Sequence, residues 1–483
     1  MTDGFGRQSS CIKENGSFME WKTLLSEKRC IDEDSSCDKG RDLRSEFEKD
    51  HHRIIASASF RRLQDKTQVF PLDKSDFIRT RLTHSLEVSS IGRSLAENIS
   101  ARIIDKRLDA SFNFKTKEAV CEILQCAGLI HDIGNPPFGH FGEESIREWF
   151  AHKLPYVKVG GRSAVDILDQ EELQDLLHFE GNAQGLRLIS KLHYINNDCG
   201  MNLTYGLMSA MIKYPTSAVD FDNDSPDIKK RKLGYFKSEK DLFNDIQKVT
   251  GTLGKRNPMV FILEAADDIA YATADIEDAF KKGFFDIYTF RHELDERGIA
   301  PYMIEELDKL FEEAQQKNVS SFQEYVLMNW LMNNQNRLIT AAACGFIENY
   351  SDIMSGLYEK DLFTDPEMAG LLKALKNIAY DYAFTSQSIY RTEIAANNII
   401  NYLMDHMVPA AIRFDGKTSA GLMEEKFISL ISDNYKATYN RYSKNLSEDR
   451  KLYLKLLLVT DSLSGMTDSY ARDSYCELTG VMP

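Results

Sequence analysis

The sequence lacks the features of a secreted or membrane-bound protein. No apolar run approaches the roughly eighteen residues that a membrane-spanning helix needs. The N-terminus has neither the basic nor the apolar region of a secretory signal. The eight cysteines form no Cys-x-x-Cys pair, so we expect them to be reduced thiols. These absences predict a cytoplasmic protein that does not associate with a membrane.

Two other shortages bear on the fold and on the partners. Period-two runs of β-branched residues are scarce and helix formers dominate, which predicts an all-α architecture. Excess positive charge is absent as well, since the net charge of −15 argues against a broadly basic nucleic-acid surface. The 483 residues are enough to bury a large core, and their number allows roughly two to four domains.

A neighbouring histidine and aspartate, His131 and Asp132, follow one predicted helix. Apolar residues recur at three- and four-residue steps through residues 120–130, and His131 falls on the same buried face. Gly134 is expected to cap this helix, and the two prolines after it prevent its continuation. An imidazole and a carboxylate at a rigid helix end can hold a metal ion between them. The alternative for His131 alone is that it does not bind a metal and is a buried histidine satisfied by a hydrogen bond in the core.

Two further segments offer ligands of the same kind. His84 lies in an Arg-Leu-Thr-His stretch, and Asp267 lies in a helix that we expect to begin with Asn257 as N-cap and Pro258 at its first position. Two imidazoles and two carboxylates suit a catalytic divalent metal with positions open for water and substrate. We expect Mn or Mg ahead of Fe, Co, Ni or Zn. Four residues are predicted to hold the metal: His84, His131, Asp132 and Asp267.

The Asp267 helix carries two more polar side chains on one face. Asp267, Tyr271 and Asp275 are four residues apart, so they form a row about 12 Å long at about 1.5 Å per residue. Such a row on an Ala- and Ile-rich helix indicates a face that lines a cavity. A solvated face is the alternative, and we expect it for three other acidic residues of this helix: Asp268, Glu277 and Asp278.

These stretches resemble the bacterial deoxyguanosine triphosphate triphosphohydrolases of the HD-domain superfamily. The block 131–143 is highly specific, because generic HD phosphohydrolases share only its first few residues. The resemblance extends from about Trp21 to near the C-terminus, whereas the residues before Met19 match nothing in that family. Six segments carry the resemblance: 61–71, 81–84, 131–143, 179–184, 264–271 and 464–470.

The resemblance implies a helical HD core with additional C-terminal helices. We expect an N-terminal extension and lead-in segment in residues 1–50, the HD phosphohydrolase core in residues 51–285, and an α-helical C-terminal region in residues 286–483. Residues 215–238 mix Asp, Asn, Pro, Lys and Gly, so we interpret them as a loop over the site. The family also implies a homo-oligomer, specifically a hexamer, and single-stranded DNA as a candidate effector.

An acidic chain that binds an anionic nucleotide needs a locally positive pocket. The family's phosphate contacts match Arg81, Lys213, Tyr214 and Lys232, although a surface charge is the alternative for any one of the cations. Its deoxyribose contacts match three residues, namely Gln68, Tyr271 and Asp275.

His140 and Glu143 are three residues apart, so they can form a hydrogen bond on one helical turn and act as an acid–base pair. In the family, the matching pair performs acid–base work at the scissile phosphoester. The alternative for His140 is a loop histidine that caps a backbone carbonyl.

The expected function is metal-dependent hydrolysis of dNTPs, with dGTP preferred, to deoxynucleoside and tripolyphosphate. The guanine preference is implied by the resemblance alone. An HD-type nucleotide phosphodiesterase or 5′-nucleotidase is the alternative, and it would need the same metal ligands but not Lys213, Tyr214 and Gln68. A third reading is a non-catalytic nucleotide-responsive regulator or single-strand DNA binder. That hypothesis would be favoured if a metal ligand or the His140–Glu143 pair were missing, and the sequence contains all of them.

Overall fold

The fold is almost entirely helical, which confirms the all-α prediction. The structure, a computed structural model, describes residues 18–31, 42–72, 75–193, 199–225, 227–415 and 421–481. Within those ranges the strands are limited to a single antiparallel pair of two-residue strands, β1 (Lys158–Val159) and β2 (Arg162–Ser163). Of the predicted extension before Met19, all but Phe18 lies outside the described residues.

The helices of the described ranges divide into those before and those after residue 285. The first group comprises α1 (Trp21–Leu24), α2 (Glu46–Ala56), α3 (Ala58–Arg62), α4 (Arg81–Asp105), α5 (Phe114–Ile130), α6 (Gly139–Lys153), α7 (Gln170–Leu177), α8 (Gly181–Arg187), α9 (Tyr205–Met211), α10 (Lys240–Thr250) and α11 (Pro258–Lys281).

The second group comprises α12 (Ile287–Glu296), α13 (Pro301–Gln316), α14 (Phe322–Glu348), α15 (Tyr350–Ser355), α16 (Pro366–Ala379), α17 (Gln387–Arg413), α18 (Leu422–Leu430), α19 (Asp433–Ser443), α20 (Glu448–Ser464) and α21 (Asp468–Thr479). Short 3₁₀ turns cover Leu63–Asp65, Leu154–Tyr156, Ala164–Asp166, Ile228–Lys230 and Lys237–Glu239. Two π-helical turns cover Leu188–Leu192 and Tyr380–Phe384.

Three long helices, α4, α5 and α11, pack against one another and form the centre of the fold. The start of α11 confirms the sequence prediction, because the Asn257 side chain accepts a hydrogen bond from the Met259 N–H and Pro258 occupies the first turn. The start of α4 is capped by Thr80, whose side chain accepts from the Thr83 N–H. Both caps fix where their helices begin, and therefore which residues face the centre.

The C-terminal helices pack directly on this centre. Helices α14 and α16 lie against α11, and α17 lies against α6 as well as α18, α20 and α21. The division of the chain at residues 50 and 285 stays a prediction. No helix in the described ranges is both long enough and apolar enough to cross a membrane.

Gly134 does not cap α5, contrary to the sequence prediction. Helix α5 ends at Ile130, and Gly134 lacks the positive φ that a capping glycine adopts. A β-carbon on Gly134 would lie 2.1 Å from the Gly185 nitrogen and 2.2 Å from the Gly181 oxygen. The glycine is therefore needed for close backbone approach between this loop and α8.

Two acidic residues predicted to be solvated are buried. Glu277 is 6% exposed and Asp278 is 1% exposed, and both pair with Arg79. Asp278 Oδ1 lies 2.6 Å from the Arg79 guanidinium. Asp268 differs, because it is partly exposed and its carboxylate lies 2.5 Å from the Lys376 ammonium. The prediction is thus wrong for Glu277 and Asp278, whose charges are compensated by an arginine from a distant segment.

The expectation that all cysteines are reduced thiols is wrong for two of them. Cys30 and Cys199 form a disulfide that ties the segment after α1 to the segment before α9. The other described cysteines are free, while Cys11 and Cys37 lie outside the described residues.

Candidate metal centre

Three segments of the fold bring the predicted metal ligands together. His84 lies in the first turn of α4, and His131 and Asp132 follow directly after α5. Ligand atoms of these three residues all lie within 4.8 Å of one another. Two imidazoles and a carboxylate at this spacing can hold one metal ion.

The fourth predicted ligand, Asp267 of α11, lies between the two histidines. Its Oδ1 is 3.1 Å from His84 Nε2 and 3.4 Å from His131 Nε2. Because α11 packs against α4 and α5, one carboxylate oxygen approaches imidazoles from both helices. The structure thus brings all four predicted ligands into one cluster. Their role as ligands stays a prediction.

The tautomer of His131 follows from its hydrogen bond to the backbone. Its Nδ1 lies 2.8 Å from the Gly128 carbonyl oxygen, which can only accept, so Nδ1 carries the proton. In the neutral imidazole the Nε2 atom therefore bears the lone pair, and it is buried with no hydrogen-bond partner among the described residues. A second nitrogen held by a carbonyl in this way is typical of metal-binding histidines. The donor set therefore fits a divalent metal, whose identity stays a prediction.

Two basic side chains face the carboxylates of the cluster. The Arg81 guanidinium contacts Asp132, and the Lys213 ammonium lies 3.1 Å from Asp267 Oδ2. Burial alone would raise the pKa of both carboxyls. The pKa of Asp132 is nevertheless lowered by His131 and Arg81. The pKa of Asp267 is lowered by Lys213 and His131. Both carboxylates are thus ionised and able to act as ligands.

The same contacts raise the pKa of Lys213. Burial alone would lower the pKa of its ammonium, and the carboxylates of Asp267 and Asp132 outweigh burial and raise it. Lys213 therefore stays charged beside the cluster. Its ammonium and the Arg81 guanidinium thus each pair with one carboxylate of the cluster.

The predicted acid–base pair lies at the start of α6. His140 Nδ1 is 3.0 Å from Glu143 Oε2, and the other carboxylate oxygen accepts from the Gly181 N–H at 2.9 Å. Glu143 is 2% exposed, whereas 75% of the His140 side chain is accessible. The hydrogen bond to Glu143 raises the pKa of His140, against the opposing effects of burial, Arg81 and Lys232. A buried carboxylate therefore orients an accessible imidazole.

Arg81 connects this pair to the metal-ligand cluster. Its guanidinium contacts Asp132 on one side, and a β-carbon at Gly139 would lie only 2.6 Å from its Nη2 atom on the other. Gly139 also has a φ of 62°, a conformation that favours glycine. The glycine beside His140 thus leaves space for the arginine, and the two parts of the site lie on either side of one guanidinium.

A cavity of about 720 Å³ opens beside the acid–base pair. His140 and Glu143 line it together with Lys232, whose ammonium lies 3.4 Å from the Glu180 carboxylate. Glu180 is 5% exposed, and burial, together with the nearby Glu143, raises its pKa. Sequence reasoning assigned no role to Glu180, although it belongs to the 179–184 segment that carries the family resemblance.

The three predicted deoxyribose contacts lie on two elements. Tyr271 and Asp275 share a face of α11, and the Tyr271 ring stacks on Phe384 with its centroid 6.3 Å away. Burial and Asp275 raise the pKa of Tyr271. Gln68 follows Thr67, which pairs with Thr80 immediately before α4. The buried Oε1 of Gln68 and Oδ2 of Asp275 have no hydrogen-bond partner among the described residues.

Tyr214 lies next to Lys213 in the segment after α9. Burial and the nearby Glu264 carboxylate raise the pKa of its phenol. A β-carbon on Gly234 would lie 1.6 Å from the Tyr214 backbone oxygen, so the predicted loop folds back tightly onto this segment. The phosphate-binding roles of Tyr214, Lys213 and Lys232 stay predictions.

Comparison with known proteins agrees with this geometry. Residues 81–187 match the HD domain family model, and this range contains three of the clustered ligands and the acid–base pair. The chain is therefore an HD-domain protein. Two relatives, from Listeria monocytogenes serovar 1/2a and Listeria innocua serovar 6a, are each 43% identical over 470 residues, which is 96% of this chain and the full length of each relative.

Both relatives carry the name deoxyguanosinetriphosphate triphosphohydrolase-like protein. At this identity and coverage, the chain belongs to the family of deoxyguanosinetriphosphate triphosphohydrolase-like proteins. The family resemblance inferred from the sequence is thereby confirmed.

Replacement of Asp267 by alanine should abolish metal binding, because the cluster loses the carboxylate that lies between both imidazoles. The metal content of the purified protein, measured by elemental analysis after incubation with Mn²⁺, tests this. Asp268→Ala is the matched control, since Asp268 is the next residue of α11 but pairs with Lys376. Full metal occupancy in Asp267→Ala, with loss in Asp268→Ala, would contradict the assignment.

Proposed function

We propose that the protein hydrolyses deoxynucleoside triphosphates, with dGTP preferred, to deoxynucleoside and tripolyphosphate. The observation that carries the proposal is the position of Arg81, between the metal-ligand cluster and the His140–Glu143 pair. A phosphate bound at this guanidinium would lie between the two groups that phosphoester hydrolysis requires. The printed name of the two relatives supports the same substrate class.

A divalent metal held by the four ligands would polarise the α-phosphate and lower the pKa of a bound water. The side chains around it perform the remaining tasks. Arg81, which is buried, and Lys213, which is partly buried, neutralise phosphate charge, and Lys232 offers a third cation at the cavity wall. Between buried charges such contacts are stronger than they are on an exposed surface.

His140 is the proton donor to the departing 5′ oxygen. Glu143 orients its imidazole through Nδ1, which leaves Nε2 available towards the cavity. The same carboxylate raises the pKa of His140, so a larger share of the imidazole is protonated at neutral pH. The backbone N–H of Gly181 holds the other oxygen of Glu143 and fixes its direction.

Selection of the sugar depends on the face of α11. The Tyr271 ring, supported by Phe384, packs beneath C2′ and leaves no space for a ribose hydroxyl. A buried hydroxyl without a partner costs roughly 1–3 kcal/mol, which adds to the steric penalty. The partnerless oxygens of Gln68 and Asp275 offer hydrogen-bond acceptors to the deoxyribose.

Product analysis tests the proposal directly. The protein should release tripolyphosphate and deoxynucleoside from dGTP faster than from dATP, dCTP, dTTP or GTP. Chromatography of the products, with Mg²⁺ and Mn²⁺ compared, measures this. Release of monophosphate, or of inorganic phosphate from a nucleoside monophosphate, would instead indicate a phosphodiesterase or a 5′-nucleotidase.

His140→Ala should retain metal and nucleotide binding but lower kcat by about 10²–10⁴-fold, as expected for a lost general acid. A protonated His140 is the active form, so kcat should fall as the pH rises through its raised pKa. Glu143→Gln removes the carboxylate that raises this pKa, so the fall should move to lower pH. Arg81 and Lys232 stay in place and lower the His140 pKa further in that variant.

The pH dependence of kcat in the wild type and in Glu143→Gln measures this shift. An identical pH profile for both proteins, or full activity of His140→Ala, would remove His140 from the chemistry. Loss of the metal in His140→Ala would make it a ligand instead.

Tyr271→Ala should raise the rate on GTP relative to dGTP, because it removes the ring beneath C2′. Tyr271→Phe is the matched control: it keeps the ring and removes only the hydroxyl, so it should keep the wild-type preference. The ratio of kcat/KM for GTP and dGTP measures the effect. An equal fall of both rates in Tyr271→Ala would show that the ring contributes packing and not selectivity.

A further inference from the structure

The junction between α20 and α21 inserts a buried carboxylate behind the candidate active site. Asp468, the first residue of α21, is 2% exposed. Its Oδ1 accepts from the Phe138 N–H at 2.9 Å, and its Oδ2 accepts from the Thr67 N–H at 2.9 Å and from the Thr67 hydroxyl. One side chain from the end of the chain thus joins two segments that carry predicted site residues.

The bond to Phe138 controls the start of α6. Phe138 precedes the first residue of this helix and has a φ of 64°, which a non-glycine residue rarely adopts. Such a conformation persists only where the surroundings determine it. Since His140 lies two residues later, the hydrogen bond from Phe138 to Asp468 sets the direction in which the imidazole projects.

The hydrogen bonds to Thr67 hold the segment that leads from Lys66 to Arg81, which forms the wall of the site opposite His140. Thr67 precedes Gln68, and it pairs with Thr80 in an isolated antiparallel bridge. The Arg81 N–H donates to the Lys66 carbonyl oxygen at 2.9 Å, which continues this pairing into α4. Asp468 therefore holds the segment that positions both Gln68 and Arg81.

A second contact joins the same three segments. The buried Lys66 ammonium donates to the Asn135 carbonyl oxygen at 2.5 Å and to the Ser464 carbonyl oxygen at 2.6 Å. Asn135 belongs to the loop that leads from the metal ligands to His140, and Ser464 ends α20. The 464–468 segment thus contacts both walls of the site through two independent sets of hydrogen bonds.

From these contacts we infer that Asp468 is a positioning residue, which aligns the His140 imidazole with the Thr67–Arg81 wall across the substrate. The inference rests on the proposed function for its effect on turnover. Asp468 itself touches neither the metal-ligand cluster nor the acid–base pair through any hydrogen bond of the described residues. Its effect is therefore transmitted by the backbone of Phe138 and Thr67.

Two variants and one control separate positioning from general stability. Asp468→Ala removes all acceptors, while Asp468→Asn keeps one acceptor and loses the other. Thr467→Ala is the control, because Thr467 caps the same helix by accepting from the Tyr470 N–H but has no bond to Phe138 or Thr67. Thr467→Ala removes the side-chain cap of α21, whereas only the changes at Asp468 remove hydrogen bonds to Phe138 and Thr67.

In Asp468→Ala, kcat should fall about 100-fold, the loss expected for a misplacement of about 1 Å. Asp468→Asn should lie between this variant and the wild type, and Thr467→Ala should match the wild type. Mn²⁺ occupancy should be unchanged in all three. If Asp468→Ala fails to fold, Asp468→Asn provides the same comparison with the control.

Titration of His140 by NMR, with its signal assigned through His140→Gln, gives a readout that does not depend on turnover. In Asp468→Ala the His140 pKa should fall part of the way towards its value in Glu143→Gln, because a released first turn weakens the contact with Glu143. The wild type and Thr467→Ala should agree. This measurement still tests the inference if the wild type releases no tripolyphosphate.

Three outcomes would overturn the inference. One is an equal loss of kcat in Thr467→Ala, which would make the effect one of stability. Another is loss of Mn²⁺ from Asp468→Asn in proportion to the loss of kcat. The third is a wild-type kcat together with a wild-type His140 titration in Asp468→Ala.

Discussion

One carboxylate oxygen, Oδ1 of Asp267, lies within 3.4 Å of two imidazole nitrogens, one from the first turn of α4 and one from the residue that follows α5. This approach requires α11 to cross both α4 and α5 at close range, and it concentrates ionisable groups in the interior. Buried carboxylates are stable only where charge compensates them. Lys213 and Arg81 provide that compensation, so the cations that would face substrate phosphates also stabilise the carboxylates of the cluster. The stability of the buried carboxylates thus depends on the two side chains that the proposed function assigns to phosphate binding.

Helix ends supply much of the site. His84 and His140 lie in the first turns of α4 and α6, and Gly181, which holds Glu143, opens α8. First turns leave backbone N–H groups without partners inside the helix, and they carry the positive end of the helix dipole. Side chains accept from two of these groups, since the Thr80 side chain accepts from the Thr83 N–H and the Glu143 carboxylate accepts from the Gly181 N–H.

The parts of the site that the sequence could predict depend on neighbours along the chain. The Asn257 cap and Pro258 start of α11 and the three-residue spacing of His140 and Glu143 are local patterns, and the structure reproduces both. Gly134 was misjudged because a helix cap and a close backbone approach both require glycine, and only the position of α8 distinguishes them. The burial of Glu277 depends on Arg79, a partner that no local pattern identifies.

The same limit applies to the C-terminal helices, which the sequence predicted as an α-helical region without identifying their contacts with the HD core. Arg187, in the HD-domain match, is 3% exposed, and Asp461 of α20 lies 2.7 Å from its guanidinium. Glu239 contacts the same guanidinium at 3.0 Å. If α20 were removed, Arg187 would lose its bidentate partner Asp461 and keep only Glu239. Breaking a buried ion pair typically destabilises a fold by about 3–5 kcal/mol. Residues 81–187 therefore define the HD domain as a sequence family, whereas both carboxylates that compensate its buried Arg187 lie outside that range.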